Sequence, residues 1–266
     1  VVGLYSLLFT DINIISQLVP FVIGPVNPET GLTYLQGNVL IIINQLVWFI
    51  GIHPSSFIEV SKDAIFTANA AAKYSRHFFD IYAHIGGAGS TLGLIIALLF
   101  SQRNQHKQIA KYATLPAIFN INELLIFGIP IVFNRYLLVP FVIAPIVTTS
   151  LARLCLELNL IHINPSQTSW NTPALLSGYL SSGNVNGLIL QLISILIAAA
   201  IYWPFVKRYD QSLKIKEERA IGSMIKELCQ PDINFSKLLK KQTPLGSFCR
   251  RLQRDLRSQL NDQHLE

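Results

Sequence analysis

The stretch FNINELLIFGIPIVFNR, Phe119 to Arg135, places one carboxylate, Glu123, beside Asn120 and Asn122 in a run of aliphatic residues. The run is apolar enough for a membrane-embedded or deeply buried helix, yet Gly128 and Pro130 interrupt it, as Pro116 does a few residues upstream. Such breaks are tolerated at membrane depth where the backbone lines a cavity or is buried in protein. An unpaired carboxylate there is costly, so an intramembrane Glu is a functional candidate by default. The alternative is a structural partner for Glu123, either Arg135 or a helix end.

The surrounding chain fits the same setting. Of its 266 residues 51% are hydrophobic and 14% charged, against roughly 25% charged in an average soluble domain. No Asp, Glu, Lys or Arg lies between Glu157 and Lys207, or between Glu29 and Glu59. Gaps of that length accommodate spans of about 20 apolar residues. Thirteen of the 21 Lys and Arg, and eight of the 15 acids, fall from Lys207 onward. A basic segment directly after an apolar stretch marks a cytoplasmic flank, so a multi-pass membrane protein with a cytoplasmic C-terminus is expected. Basic residues in the body are scattered, which argues against a nucleic-acid partner. Cys155, Cys229 and Cys249 show neither CxxC nor Cys/His spacing, so reduced thiols and no metal site or cofactor are expected. The sequence begins Val1-Val2 and is expected to be a piece of a longer chain that lacks N-terminal spans.

From Leu4 to Ile23 the pattern reads as the end of a span or an amphipathic helix, and LQGNVLIIINQLVWFIGIH, ending at His53, as a span carrying Asn38, Asn44 and Gln45. Ser61 to Phe78 reads as an interfacial or cytoplasmic helix. In HIGGAGSTLGLIIALLFSQR the glycines suit a re-entrant loop leading into a span, or a small-residue packing face. Asn104 to Lys111 reads as a polar connector, Tyr136 to Ala152 as a span kinked by Pro140 and Pro145, and Asn164 to Gly187 as an uncharged loop folded back into the protein. LILQLISILIAAAIYWPFVKR is the clearest span, with an interfacial Tyr202/Trp203 pair and a basic flank. Residues 1–209 thus form a membrane domain. Residues 210–266 form a basic amphipathic tail, with Ile221, Ile225 and Leu228 at helical spacing, suited to a partner helix, a membrane-surface helix or a linker.

Three polar islands carry the chemistry: His53 in GIHPSS, the Asn120/Asn122/Glu123 group, and the loop with Trp170 and Asn171. A carboxylate accepts hydroxyl protons, amides donate and accept, and an indole offers a flat apolar face for a sugar ring. Together they suit a neutral polyhydroxylated ligand. His53 and Trp170 also have plain readings as an interfacial histidine and an interfacial anchor.

The segments HIGGAGSTLGLIIALL, LPAIFNINELLIFGIPIVFN and LLVPFVIAPIV, followed by SWNTPALLSGYL and IYWPF, resemble the membrane subunit, enzyme IIC, of the lactose/cellobiose/diacetylchitobiose family of the phosphotransferase sugar system. The match runs roughly from Gly37 to Glu217. It implies an all-α polytopic membrane protein with re-entrant hairpins, of which this is the C-terminal transport half, in a homodimer within the lipid bilayer. It further implies a disaccharide substrate phosphorylated at its 6-hydroxyl by phosphorylated enzyme IIB. By motif position His53 matches the histidine of Gly-Ile-His-Gly, Glu123 the glutamate of Asn-Glu-Pro, and Trp170 the tryptophan of Pro-Trp-x-x-Pro. In that scheme Glu123 and His53 are catalytic and Asn120, Asn122, Trp170 and Asn171 bind substrate. Here Pro54, Leu124, Arg135 and Ser169 stand where the family pattern has Gly, Pro, Pro and Pro. The end of the tail, RRLQRDLRSQLNDQHLE, resembles the first helix of an EAL-type cyclic-di-GMP phosphodiesterase domain. A sugar permease component is therefore expected, or alternatively an enzyme IIC-like membrane sensor fused to a cyclic-di-GMP phosphodiesterase.

Overall fold

A computed structural model describes residues 21–25, 32–53, 74–164 and 168–228. The described helices, in chain order, are α1 Tyr34–Phe49, α2 Arg76–Tyr82, α3 Thr91–Leu99, α4 Asn104–Ile118, α5 Glu123–Gly128, α6 Arg135–Glu157, α7 Leu176–Ser182 and α8 Val185–Leu228, and no strand occurs among the described residues. The chain divides into two compact units, Val1–Tyr209 and Asp210–Glu266. The segments 4–20 and 61–73 and the tail beyond Leu228, with its phosphodiesterase-like end, lie outside the described residues.

Local chemistry sets the helix ends. Thr33 caps α1 by accepting from Gln36 N while the Gln36 side chain accepts from Thr33 N, a reciprocal capping box. Ser75 caps α2 and Asn134 caps α6, each side chain accepting a backbone N–H of the first turn. Helix α6 has 23 residues, about 35 Å at 1.5 Å per residue, enough to cross a hydrocarbon core of about 30 Å. Both α6 and α8 are long and apolar enough to span a membrane. The helical spacing of Ile221, Ile225 and Leu228 falls within α8, which runs through Leu228.

Three expectations need correction. The run after the Gly86–Gly89 turn is not a span, because α3 holds nine residues, about 14 Å, and stops at Phe100. It packs beside α4, so the two short helices form a hairpin that enters the protein and returns. The polar Asn104–Lys111 segment is no connector but the first half of α4. Tyr202 is not interfacial: its ring is fully buried and its hydroxyl donates to Gly89 O at 2.7 Å, while Trp203 stays partly exposed under Lys207 Nζ.

The non-helical residues 83–90 solve the problem of backbone carbonyls far from water. Ser90 Oγ donates to Ala83 O, Thr91 Oγ1 to Gly86 O, Asn122 Nδ2 to Ala88 O and Tyr202 Oη to Gly89 O. Gly89 has φ +82°, and a Cβ there would lie 2.2 Å from the Phe141 ring. Gly89→Ala is expected to cost about 1–2 kcal/mol for the left-handed backbone alone, with the ring clash added. Thermal unfolding in detergent checks this, with Gly183→Ala, left-handed at φ +62° but with nothing within 4 Å of its Cβ, as the control that carries the backbone cost without the clash.

Around α2 a core forms from Phe78, Phe79 and Tyr82 against Ile41 of α1, Ala152 of α6 and Leu190 of α8. Helix α1 runs antiparallel to α6, with Tyr34 bonded to Ser150 at one end and Phe49 O accepting from Phe133 N near the other. The C-terminal end of α1 is thereby set beside the broken stretch between α4 and α6.

Candidate functional site

The stretch 119–134 is broken twice by its own geometry. Helix α4 ends as Phe119 and Asn120 turn back on Pro116 and Ala117, and Asn120 sits at φ +63°, a left-handed conformation that Asn tolerates better than most residues. Six helical residues follow as α5, and Ile129 to Asn134 are again non-helical. Glu123 is thus the first residue of a short helix at a backbone break.

Asn120 joins three pieces of chain. Its Oδ1 accepts from Gly86 N at 2.9 Å, and its Nδ2 donates to Trp170 O at 2.6 Å and, more weakly, to Thr172 O at 3.5 Å. Asn122 is buried, and its Nδ2 donates to Ala88 O at 2.9 Å and Thr91 Oγ1 at 3.3 Å. Gly87, at φ +98°, makes room for it, since a Cβ there would come within 2.5 Å of Asn122 Cγ. Asn120 ties the glycine turn and the Trp170 loop to the end of α4, and Asn122 ties the glycine turn to the start of α5. Trp170 is 60% exposed while its carbonyl is held, and Asn171 beside it is also exposed.

His53 reaches the site from α1. Beyond Phe49 the chain turns through Gly51, at φ +83°, with Ile52 N donating to Val47 O. This brings His53 Nε2 within 3.5 Å of Glu123 Oε1 and lays the imidazole edge-on to the buried Trp48 ring, centroids 4.5 Å apart. The two side chains are 50% and 44% exposed, so an ion pair between them is worth about 0–1 kcal/mol at most. Stability alone does not explain the pairing. The second carboxylate oxygen, Oε2, is buried and meets no hydrogen-bond partner among the described residues. Arg135, the other partner the sequence offers Glu123, instead bonds Tyr136 Oη and lies over the Tyr136 ring.

The six residues singled out in the sequence are therefore linked: His53 to Glu123 directly, Asn122 and Asn120 along the same backbone break, and Trp170 and Asn171 through the Asn120 bond. Sequence reasoning misses Gln191. It is buried in the second turn of α8, where its Oε1 accepts from Leu175 N, Gly178 N and Ser177 Oγ and its Nε2 donates to Ile81 O. A lone amide in LILQLISIL is the signal that finds it, since polar residues in apolar helices face protein.

A carboxylate, an imidazole, an exposed indole and two amides fixed to backbone are thus gathered where the helices of a helical membrane protein break. The model of the phosphotransferase system EIIC family matches residues 4–145, and the chain belongs to that family. It is 36% identical over 193 residues to the lichenan permease IIC component of Bacillus subtilis (strain 168), covering 66% of this chain and 42% of the relative. It is 34% identical over 201 residues to the cellobiose-specific EIIC component of Geobacillus stearothermophilus, covering 68% and 44%. Its structure is similar to the crystal structure of the transporter ChbC, the IIC component from the N,N'-diacetylchitobiose-specific phosphotransferase system, with a TM-score of 0.64, 34% identity, and coverage of 69% of this chain and 46% of that one. The chain spans less than half the length of these proteins.

Proposed function

We propose that the chain is the sugar-site portion of a phosphotransferase-system permease, which binds a disaccharide of the cellobiose, diacetylchitobiose or lactose class and translocates it in step with its phosphorylation by enzyme IIB. The observation that carries this reading is Glu123, held at a helix break 3.5 Å from His53 with one buried oxygen unpartnered. The relatives named as permease or EIIC components support it, and the sensor alternative gains nothing from them.

In this reading the 6-hydroxyl of the sugar donates to Glu123. As that oxygen attacks the phosphorus of the phosphocysteine of enzyme IIB, its proton passes to the Glu123 carboxylate, the O–P bond forms, the S–P bond breaks, and the cysteine leaves as thiolate. His53 steadies Glu123 and the sugar near the phosphoryl donor, and its own orientation comes from Trp48. Asn120 and Asn122 hold the frame, and the exposed Trp170 ring is a stacking face for a pyranose. The protein works as a homodimer in the inner (plasma) membrane, with the basic flank from Lys207 and the C-terminus in the cytoplasm.

The test is uptake and phosphorylation of labelled cellobiose, lactose and N,N'-diacetylchitobiose by membrane vesicles supplied with phosphorylated enzyme IIB. Sugar phosphate inside the vesicles supports the reading; binding without phosphorylation of any of the three sinks it. In the same vesicles His53→Gln is expected to lower phosphorylation roughly 10-fold to 100-fold, less than loss of the proton acceptor, because His53 acts beside Glu123 instead of taking the proton itself.

A further inference from the structure

We propose that Gln45 is a further sugar-binding residue, whose carboxamide takes hydroxyls of the disaccharide as it passes between α1 and α6. The inference rests on the permease reading above. Gln45 is 0% exposed, and neither its Oε1 nor its Nε2 meets a hydrogen-bond partner among the described residues. A buried amide can donate twice and accept twice, and leaving all of that unmet is destabilising. Its neighbours differ. Asn38, two turns earlier, donates to Tyr34 O and accepts from Thr149 Oγ1 of α6. Gln191 and Asn122, the other buried amides described above, are bonded too.

Position ties Gln45 to the site. Residues three apart share a helix face, so Gln45 stands one turn from Trp48, whose ring contacts His53, which in turn contacts Glu123. Helix α1 is tied to α6 by Asn38–Thr149 and to the stretch just before α6 by Phe49–Phe133, and Gln45 stands between those two ties. No charged residue lies between Glu29 and Glu59, so nothing on α1 would balance an ionic ligand. The chemistry that fits is a neutral hydroxyl, and an amide spans two adjacent ring hydroxyls by donating to one and accepting from the other. Because Gln45 is closed off here, the contact forms once α1 shifts against α6, and the unmet amide favours that shift when sugar is present.

The experiment titrates the full chain, in detergent micelles, with cellobiose, lactose and N,N'-diacetylchitobiose, and follows its thermal unfolding without sugar. For the sugar that the unsubstituted protein binds best, Gln45→Met is expected to weaken affinity at least tenfold while the sugar-free melting temperature stays level or rises. Affinity within twofold of the unsubstituted protein overturns the assignment, whether the melting temperature rises or falls. Should the Met variant not fold, Gln45→Asn, which withdraws the amide by one methylene, gives the same reading: weakened affinity supports it and unchanged affinity overturns it. If the unsubstituted protein binds none of the three sugars, the permease reading falls and takes this one with it; if it binds one and the variant binds equally, only the role of Gln45 falls.

Discussion

In vesicles supplied with enzyme IIB, Glu123→Gln is expected to lower sugar phosphorylation by about 10² to 10⁴, the range general-base assistance contributes. The substitution keeps the size and one carbonyl acceptor but removes the charge and the ability to take a proton. Sugar affinity is expected to weaken as well, by roughly tenfold, because hydrogen bonds to a carboxylate are stronger than those to an amide. The two losses are separable: kcat for phosphorylation reports proton transfer, and direct binding reports hydroxyl recognition. Unchanged binding would place the sugar elsewhere, and weakened binding with unchanged kcat would make Glu123 a recognition group only. The fold itself has little stake in the result, since the His53 contact is half exposed and Oε2 is unpartnered.

Gln191→Leu is the mirror case, with large structural loss and no direct chemical role. One amide serves three donors around the start of α7, Leu175 N, Gly178 N and Ser177 Oγ, and one acceptor on α2, Ile81 O. Leucine would leave the two N–H groups and the carbonyl in an apolar interior without partners, at about 1–3 kcal/mol each. Summed with some relaxation this is roughly 3–6 kcal/mol, or a fall in melting temperature on the order of 10 °C for a domain of this size. Thermal unfolding in detergent measures it. A fall of under about 2 °C would mean that α7 does not depend on Gln191, and Gln191→Glu, which keeps the accepting oxygen, should recover part of the loss.

Long elements are legible in the sequence and short ones are not. Helices α6 and α8 announce themselves because long, mainly apolar runs have few other uses, and the run in α8 ends in a basic flank. The His53, Glu123 and Trp170 islands are legible because polar groups in apolar surroundings need a reason. The nine-residue length of α3 is hidden, since LGLIIALLF carries no stop signal; its helix ends where Phe100 closes the last turn and the chain returns as α4. Likewise Tyr202 beside Trp203 has the composition of an interface belt, and only the need of Gly89 O for a donor, 113 residues away, draws it inside. Asn120 and Asn122 stand out as polar, but that they bind backbone depends on the left-handed turn at 86–90, which residue type alone does not specify.

The Asn120 junction also bears on how the protein acquires its shape in time. Its bonds reach Gly86 and Trp170, 34 and 50 residues away along the chain, whereas α3 and α4 pair across a short turn. Closing long loops carries an entropic penalty that neighbouring helices do not face, so the Asn120 junction is expected to close after α3 and α4 have paired. On the permease reading, a chain arrested at that stage would show nearly full helix content by circular dichroism and no affinity for sugar, which makes ligand binding, more than helicity, the gauge of maturation to measure.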